Sequence, residues 1–315
     1  MTHHTLAATP GTVRIGQFAA TIPPVLTIQS GDTVAVECVS GRANVLPPPG
    51  SPLLVPQALS TIIAANPDPP PGHIVTGPIA IAGAEPGDTL EIRIDSIEPG
   101  ANWGYNVIRP LVGTLPEDFH ETHLMHIAVD QAAQTCTLPW GTVLPLAPFF
   151  GVMGVAPPRA MGTIGSKEPR LHGGNLDNKE LTAGSSLFLP VWVPGANFSV
   201  GDGHGVQGDG EVCVTALEMC LNGWFTFVLH KQTDRPALYP RAETPTHFIS
   251  MGLHEDLDQA MKTALREMIA FITARTNLAR EQAYAFCSLA VDFHVTQTVN
   301  GEKGVHGMLK KGLLF

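Results

Sequence analysis

Glycine and proline punctuate the first 240 residues so densely that a long helix has little room to form there. The chain carries 32 glycines and 28 prolines. Both residues disfavour helix interiors and supply tight turns. What remains open is a set of short strands joined by turns. Val25 to Gln29 and Thr33 to Cys38 flank Ser30-Gly31-Asp32 and read as a hairpin. Pro86-Gly87-Asp88 marks another turn, followed by a strand over Thr89 to Ile97 in which Leu90, Ile92 and Ile94 alternate. Val212 to Met219 and Trp224 to Leu229 flank Asn222-Gly223, the strongest short hairpin dipeptide. Residues 46–71 hold nine prolines and read as a surface excursion or lid.

After Leu253 the pattern changes. Leu257, Met261, Ala264, Leu265, Met268, Ile269 and Ile272 recur at three- and four-residue steps in a run free of glycine and proline. That spacing predicts an amphipathic helix. A second helix is expected over Ala279 to Phe286 and a strand over Ala290 to Thr298. The expected fold is mainly β. A sandwich or barrel body of short strands, in one or two subdomains, covers residues 1–240. An α+β unit with two helices covers 241–315.

At 44% hydrophobic and 15% charged, 315 residues can bury a sizeable core. The net charge of −10 argues against nucleic acid and against an anionic membrane surface as partners. No apolar run approaches the ~20 residues that span a bilayer. Five scattered cysteines without a CxxC pair, and no secretory pattern near Met1, lead us to expect a cytoplasmic protein with free thiols.

Chemistry concentrates in one window. Gly173-Gly174-Asn175-Leu176-Asp177 is followed by Gly201-Asp202-Gly203-His204-Gly205-Val206-Gln207-Gly208-Asp209-Gly210-Glu211. A loop of glycine and acidic residues is costly to order, and a bound cation would offset that cost. Asp202 and His204 are two apart, so extended backbone aims them the same way, and Asp209 and Glu211 likewise. Histidine with carboxylates suits zinc with an open position, or calcium if carbonyls join. The same decapeptide reads equally well as plain turns. Gly203 to Gly208 also matches GxGxxG, but a strand rather than a helix is expected after it, which excludes a dinucleotide site. His73 opens the strand Ile74 to Ile81 and either points into this site or sits half-exposed.

These residues resemble a known family. Gly77-Pro78-Ile79, Gly83-Ala84-Glu85-Pro86-Gly87-Asp88, Gly151-Val152-Met153-Gly154-Val155-Ala156-Pro157, the Gly173 run, Leu189-Pro190-Val191 and the Gly201–Glu211 run are similar, in order, to acetamidase/formamidase proteins. Ala283-Tyr284, Ser288 to Asp292 and Gln297 resemble the family's C-terminal element. The resemblance implies a mostly β body with an α+β tail. It implies hydrolysis of a small amide to a carboxylic acid and ammonia, with a divalent metal, zinc or calcium. On that reading His73, Asp177, Asp202 and His204 hold the metal. Glu211 is the general base with Asp209 second to it, and Asn175 and Gln207 bind the amide. The expected assembly is a homodimer or larger homo-oligomer. Two alternatives stay open: a lactam, cyclic imide or carbamate as substrate, and a non-catalytic protein in which calcium joins two β units.

Overall fold

The computed structural model describes residues 1–232 and 238–314. Eighteen strands among them share one hydrogen-bonded network, and three α-helices accompany it. The mainly β expectation holds, with two of the three helices near the C-terminus, at Leu257–Arg275 and Arg280–Ala290. Asp256 starts the first of these by accepting from the backbone N–H of Gln259 at 3.0 Å, which satisfies a donor that the helix itself leaves unpaired. That helix lies against His247–His254 and Lys303–Lys310, antiparallel neighbours in the sheet.

Long pairings, not hairpins, organise the body. Thr89–Ile108 runs for 20 residues and pairs with Glu218–His230, His123–Asp130 and Ser186–Pro190. The alternation predicts only its first half, Thr89 to Ile97. The pairing register shifts between Met219 and Leu221, with the extra residues lying in Thr89–Ile108 itself just after Pro99, as in a bulge. Asn222-Gly223 makes no hairpin. It sits inside the 13-residue strand Glu218–His230, where Asn222 faces Glu37 and Glu98. Ser30-Gly31-Asp32 does turn the chain, with the Asp32 carboxylate accepting from Gln29 N–H at 3.0 Å. Yet the flanking strands separate: Leu26–Ile28 pairs parallel with Ile74–Ile81, and Thr33–Cys38 pairs with His3–Leu6 and Glu218–His230. Turn dipeptides state local preference only, and burial of the inward face of these strands overrides them. The aromatic centre of the core is Phe150, Phe198, Phe225 and Phe227, none of them solvent-exposed.

The proline-rich segment 46–71 contains a helix, Gln57–Ala65, which the proline count concealed. Its Leu59 and Ile62 are buried in a second cluster with Val45, Trp103 and Tyr105. Arg42 ties down the far end by donating to the carbonyls of Pro70 at 2.6 Å and Gly72 at 2.7 Å.

Two histidines are sealed in the interior and carry a stability cost. His172 sits edge-on to Phe18 at 5.1 Å, and burial with the nearby Arg170 charge pushes its imidazole down to about 3. His306 stacks on His294, and burial lowers it to about 4. Both stay neutral when folded, whereas the unfolded chain takes up protons as pH falls below about 6.5. The contribution of these two groups is therefore full above that value and declines as pH falls towards 4. At about 1.4 kcal/mol per unit per group, it falls by on the order of 4 kcal/mol by pH 5. Urea unfolding of the wild type and of His172→Leu at pH 7 and pH 5 isolates it: the wild type should lose about 2 kcal/mol more than the variant between the two values. An equal change in both would contradict it.

Candidate metal and active site

The strand Phe198–His204 is the axis of the site. It pairs antiparallel with Phe149–Gly154 on one side and with Ile74–Ile81 on the other. The sequence reads the Gly201–Gly205 alternation as a loop that an ion would order, and the structure corrects this. Gly201 and Gly203 are strand residues at close approaches. A Cβ on Gly201 would lie 2.2 Å from the Ile74 carbonyl oxygen, and one on Gly203 would lie 2.5 Å from that of Met219. Glycine alternation thus packs one face against neighbouring backbone, while Asp202 and His204 present theirs to the site. Asp202 and Gly151 fall between paired residues of the ladder, and Asp202 has φ 58.

Four further segments deliver side chains here. Asp177, at φ 45, follows the short strand Gly173–Asn175, and its N–H donates to Gly151 O. Glu211, at φ 42, stands on the connection after His204. Glu218 opens its long strand directly opposite His204. His73 stands at the start of Ile74–Ile81, with Nδ1 3.1 Å from Ser166 Oγ. Non-glycine residues held in the left-handed region cost about 1–3 kcal/mol each, and such strain gathers at functional sites.

His204 is the hub. Its Nε2 lies 3.3 Å from Asp202 Oδ2 and 3.2 Å from Glu218 Oε1. His73 Nε2 lies 3.7 Å from the same Asp202 oxygen. On the other side, Asp177 Oδ1 is 3.9 Å from His204 Nδ1. Two groups with metal-ligating atoms within 4.8 Å of one another result: Asp202, His204 and Glu218, and Asp177, His204 and Glu211. All five are buried. Tetrahedral ligands about 2.0–2.1 Å from a zinc ion stand roughly 3.3 Å apart, which the spacings around His204 Nε2 match. His204 Nε2, Asp177 Oδ1 and Glu211 Oε2 have no hydrogen-bond partner among the described residues. Buried polar atoms are costly unless something satisfies them, so the donor set fits a divalent cation.

Gln207 decides which way His204 faces. Its Nε2 donates to the Asp177 carbonyl at 2.8 Å, so its Oε1 is the acceptor for His204 Nδ1–H at 2.9 Å. The Nε2 side of the ring is left facing Asp202 and Glu218, the arrangement by which an outer partner fixes a ligating histidine. Asn300, 123 residues beyond Asp177, donates to Asp177 Oδ2 at 2.5 Å and to Asn175 O at 3.3 Å.

The charges follow from burial and proximity. Burial opposes ionisation of Asp202, but His73 and His204 outweigh it and hold the carboxyl well below the usual range. Burial also opposes the charge on His204, yet Glu218 and Asp202 raise it well above an ordinary imidazole. Burial and then the Asp177 charge push Glu211 far up. Burial, partly offset by His204, brings Glu218 to about 7. Acid/base groups poised near neutrality or held protonated are what proton transfer requires.

Of the residues singled out from sequence, His73, Asp177, Asp202, His204 and Glu211 converge. Asn175 lines the same cavity with Oδ1 unpartnered. Gln207 is engaged at both ends. Asp209 lies apart, in ion pairs with Lys179 at 3.2 Å and His294 at 3.3 Å. The two-residue spacing of Asp209 and Glu211 fails because residues 208–217 are turns rather than the expected strand, and Glu211 is left-handed. The failed strand also corrects the GxGxxG context, while the exclusion of a following helix stands. Two residues were missed. Glu218 is a carboxylate in the otherwise apolar run Ala216 to Leu221, a signal that could have been read. Asn300 carries none.

The site floors a cavity of about 660 Å³ whose walls include Arg42, Tyr105, Arg109, Val112 and Val214.

The chain is similar to proteins already known. The chain is 31% identical over 202 residues to an acetamidase of Mycolicibacterium smegmatis, taking in 45% of this chain and 49% of that one. The chain thus spans about half the length of the curated relatives it matches. It is similar throughout to the crystal structure of an acetamidase from Bacillus halodurans, with a TM-score of 0.83, 30% identity and 97% of each chain covered. An acetamidase from Yersinia enterocolitica gives a TM-score of 0.84 at 28% identity, covering 100% of this chain and 93% of the other. The profile of the Acetamidase/Formamidase family matches residues 14–168 and 160–305. The chain belongs to the acetamidase/formamidase family.

Proposed function

We propose that the protein hydrolyses small linear amides, of the acetamide or formamide kind, to a carboxylic acid and ammonia. The observation that carries this is the convergence of His73, Asp177, Asp202, His204, Glu211 and Glu218, with ligating atoms left unpartnered, beneath a cavity that His73, Asp202, Glu211 and Glu218 line. His73, Asp202, His204 and Glu218 would hold the metal, which we take to be zinc, with calcium the alternative. When bound, a divalent cation supplies polarisation of the amide carbonyl and an acidified water.

The chain's own groups do the rest. Glu211 stands against Asp177 across the floor, and this pair shares a proton that neither would hold alone. With one proton already shared, the ionised member of the pair takes the proton of the attacking water and Glu211 delivers one to the departing nitrogen, so that ammonia leaves neutral. Asn300 fixes one Asp177 oxygen, which leaves the other turned to the site. Asn175 Oδ1 accepts from the amide N–H₂ and orients it. Gln207 is a positioning residue that acts through His204, and Asp209 takes no part in the proton transfer. Five free cysteines support a cytoplasmic setting.

Ammonia release from acetamide and formamide, before and after chelation and with metal returned, tests the proposal. No release from any small linear amide would sink it. Glu211→Gln should lower kcat by about 10²-fold or more, the usual scale for an acid/base group, with the melting temperature nearly kept because the amide is close to isosteric. Normal turnover in that variant would remove Glu211 from the role.

A further inference from the structure

A water-sized group takes roughly 30 Å³, so acetamide would fill only about a fifth of the 660 Å³ cavity. The remainder has its own chemistry. Tyr105, Val45, Val112 and Val214 give it apolar walls. Val214 has φ 78, a genuine outlier for a β-branched residue. Glycine would relax that turn, so the strained backbone retains a side chain where one forms the wall.

Charge is divided along the cavity. Asp202, Glu211 and Glu218 are at the floor, while Arg109, Lys167 and Glu168 stand in the walls beyond them. Neither cation has a hydrogen bond or ion pair with a described residue. Arg42, by contrast, spends its donors on backbone carbonyls. Arg109 follows immediately on the strand Thr89–Ile108, the strand that carries Tyr105 into the cavity. In a chain of net charge −10, an arginine that has no carboxylate partner among the described residues and faces a ligand-sized cavity is an unused anion receptor.

We propose that the preferred substrate is an amide whose acyl chain ends in a carboxylate, such as the monoamide of a dicarboxylic acid, with Arg109 as the specificity-determining residue. This rests on the amidase reading of the floor. Arg109 draws the carboxylate to the wall and so orients the substrate, amide inwards and carboxylate towards Arg109. The apolar walls take the methylene spacer.

Glutaramate and pentanamide, which have the same number of carbons, test this in the metal-loaded protein. The kcat/KM for glutaramate should exceed that for pentanamide by about tenfold or more, the scale of a charge-assisted bidentate contact. Arg109→Gln should bring the ratio close to one, mainly through KM for glutaramate. Arg109→Lys should keep part of the preference, which mere loss of a structural side chain would not allow. A ratio at or below one in the wild type, or a ratio unchanged in Arg109→Gln, overturns the proposal while leaving the amidase reading intact. Hydrolysis of no amide at all, acetamide and formamide included, overturns both.

Discussion

His204→Ala is expected to release the divalent cation and to lower kcat/KM for amide hydrolysis by about 10³-fold or more. His204 belongs to both groups of ligating residues and lies between them. Removing it takes away one donor and the contact point of Asp202, Glu218 and Asp177 together. The carboxylates left behind repel one another with no imidazole to offset them, so metal affinity and electrostatic stabilisation of the reaction are lost at once. Elemental analysis of the purified variant, ammonia release and circular dichroism form the check. The same variant separates catalysis from the alternative in which an ion only ties β units together. A structural ion would cost melting temperature when lost and leave turnover of the remaining folded protein unchanged. Full metal occupancy in His204→Ala would refute the assignment outright.

Gly151→Ala should abolish most activity without replacing any ionisable group. A Cβ at this position would stand 2.4 Å from Asp177 Oδ1, 2.7 Å from Asp202 Oδ2 and 3.0 Å from His204 Cε1. Gly151 does not need a left-handed backbone, so the substitution is tolerated locally and its whole effect is steric, directed into the centre of the site. The three side chains must move by several tenths of an ångström or more. Displacement on the ångström scale costs on the order of 10²-fold in rate. Gly208→Ala, where the added carbon meets nothing within 4 Å, is the control from the neighbouring connection. Comparable turnover in the two variants would mean that Gly151 does not set the geometry of the floor.

How far each part was legible depends on how locally it is encoded. The helix Leu257–Arg275 was readable because one apolar face repeats every three to four residues and Asp256 supplies the cap. The alternating half of Thr89–Ile108 was readable for the corresponding reason at period two. Asp202 and His204 were readable as a pair because they share a strand. Asp209 was misread because it does not: the chain between it and Glu211 turns, and a spacing rule holds only for the backbone shape it assumes. The helix Gln57–Ala65 was hidden because prolines flank it rather than enter it, and proline flanks are as typical of loops.

Read alone, the sequence determined the mainly β class, the C-terminal helices and the window in which most of the site's donors reside. Those features are set by residue periodicity and turn chemistry within a few positions. The tertiary structure decided what that window does. Pairing of Glu218 with His204 completes the donor set, and Asn300 reaches Asp177 from 123 residues away. It also decided that Asn222-Gly223 continues a strand. Such outcomes depend on which distant strands share a ladder and which faces become buried, and burial in the whole fold outweighs the smaller free energies of local turn preference.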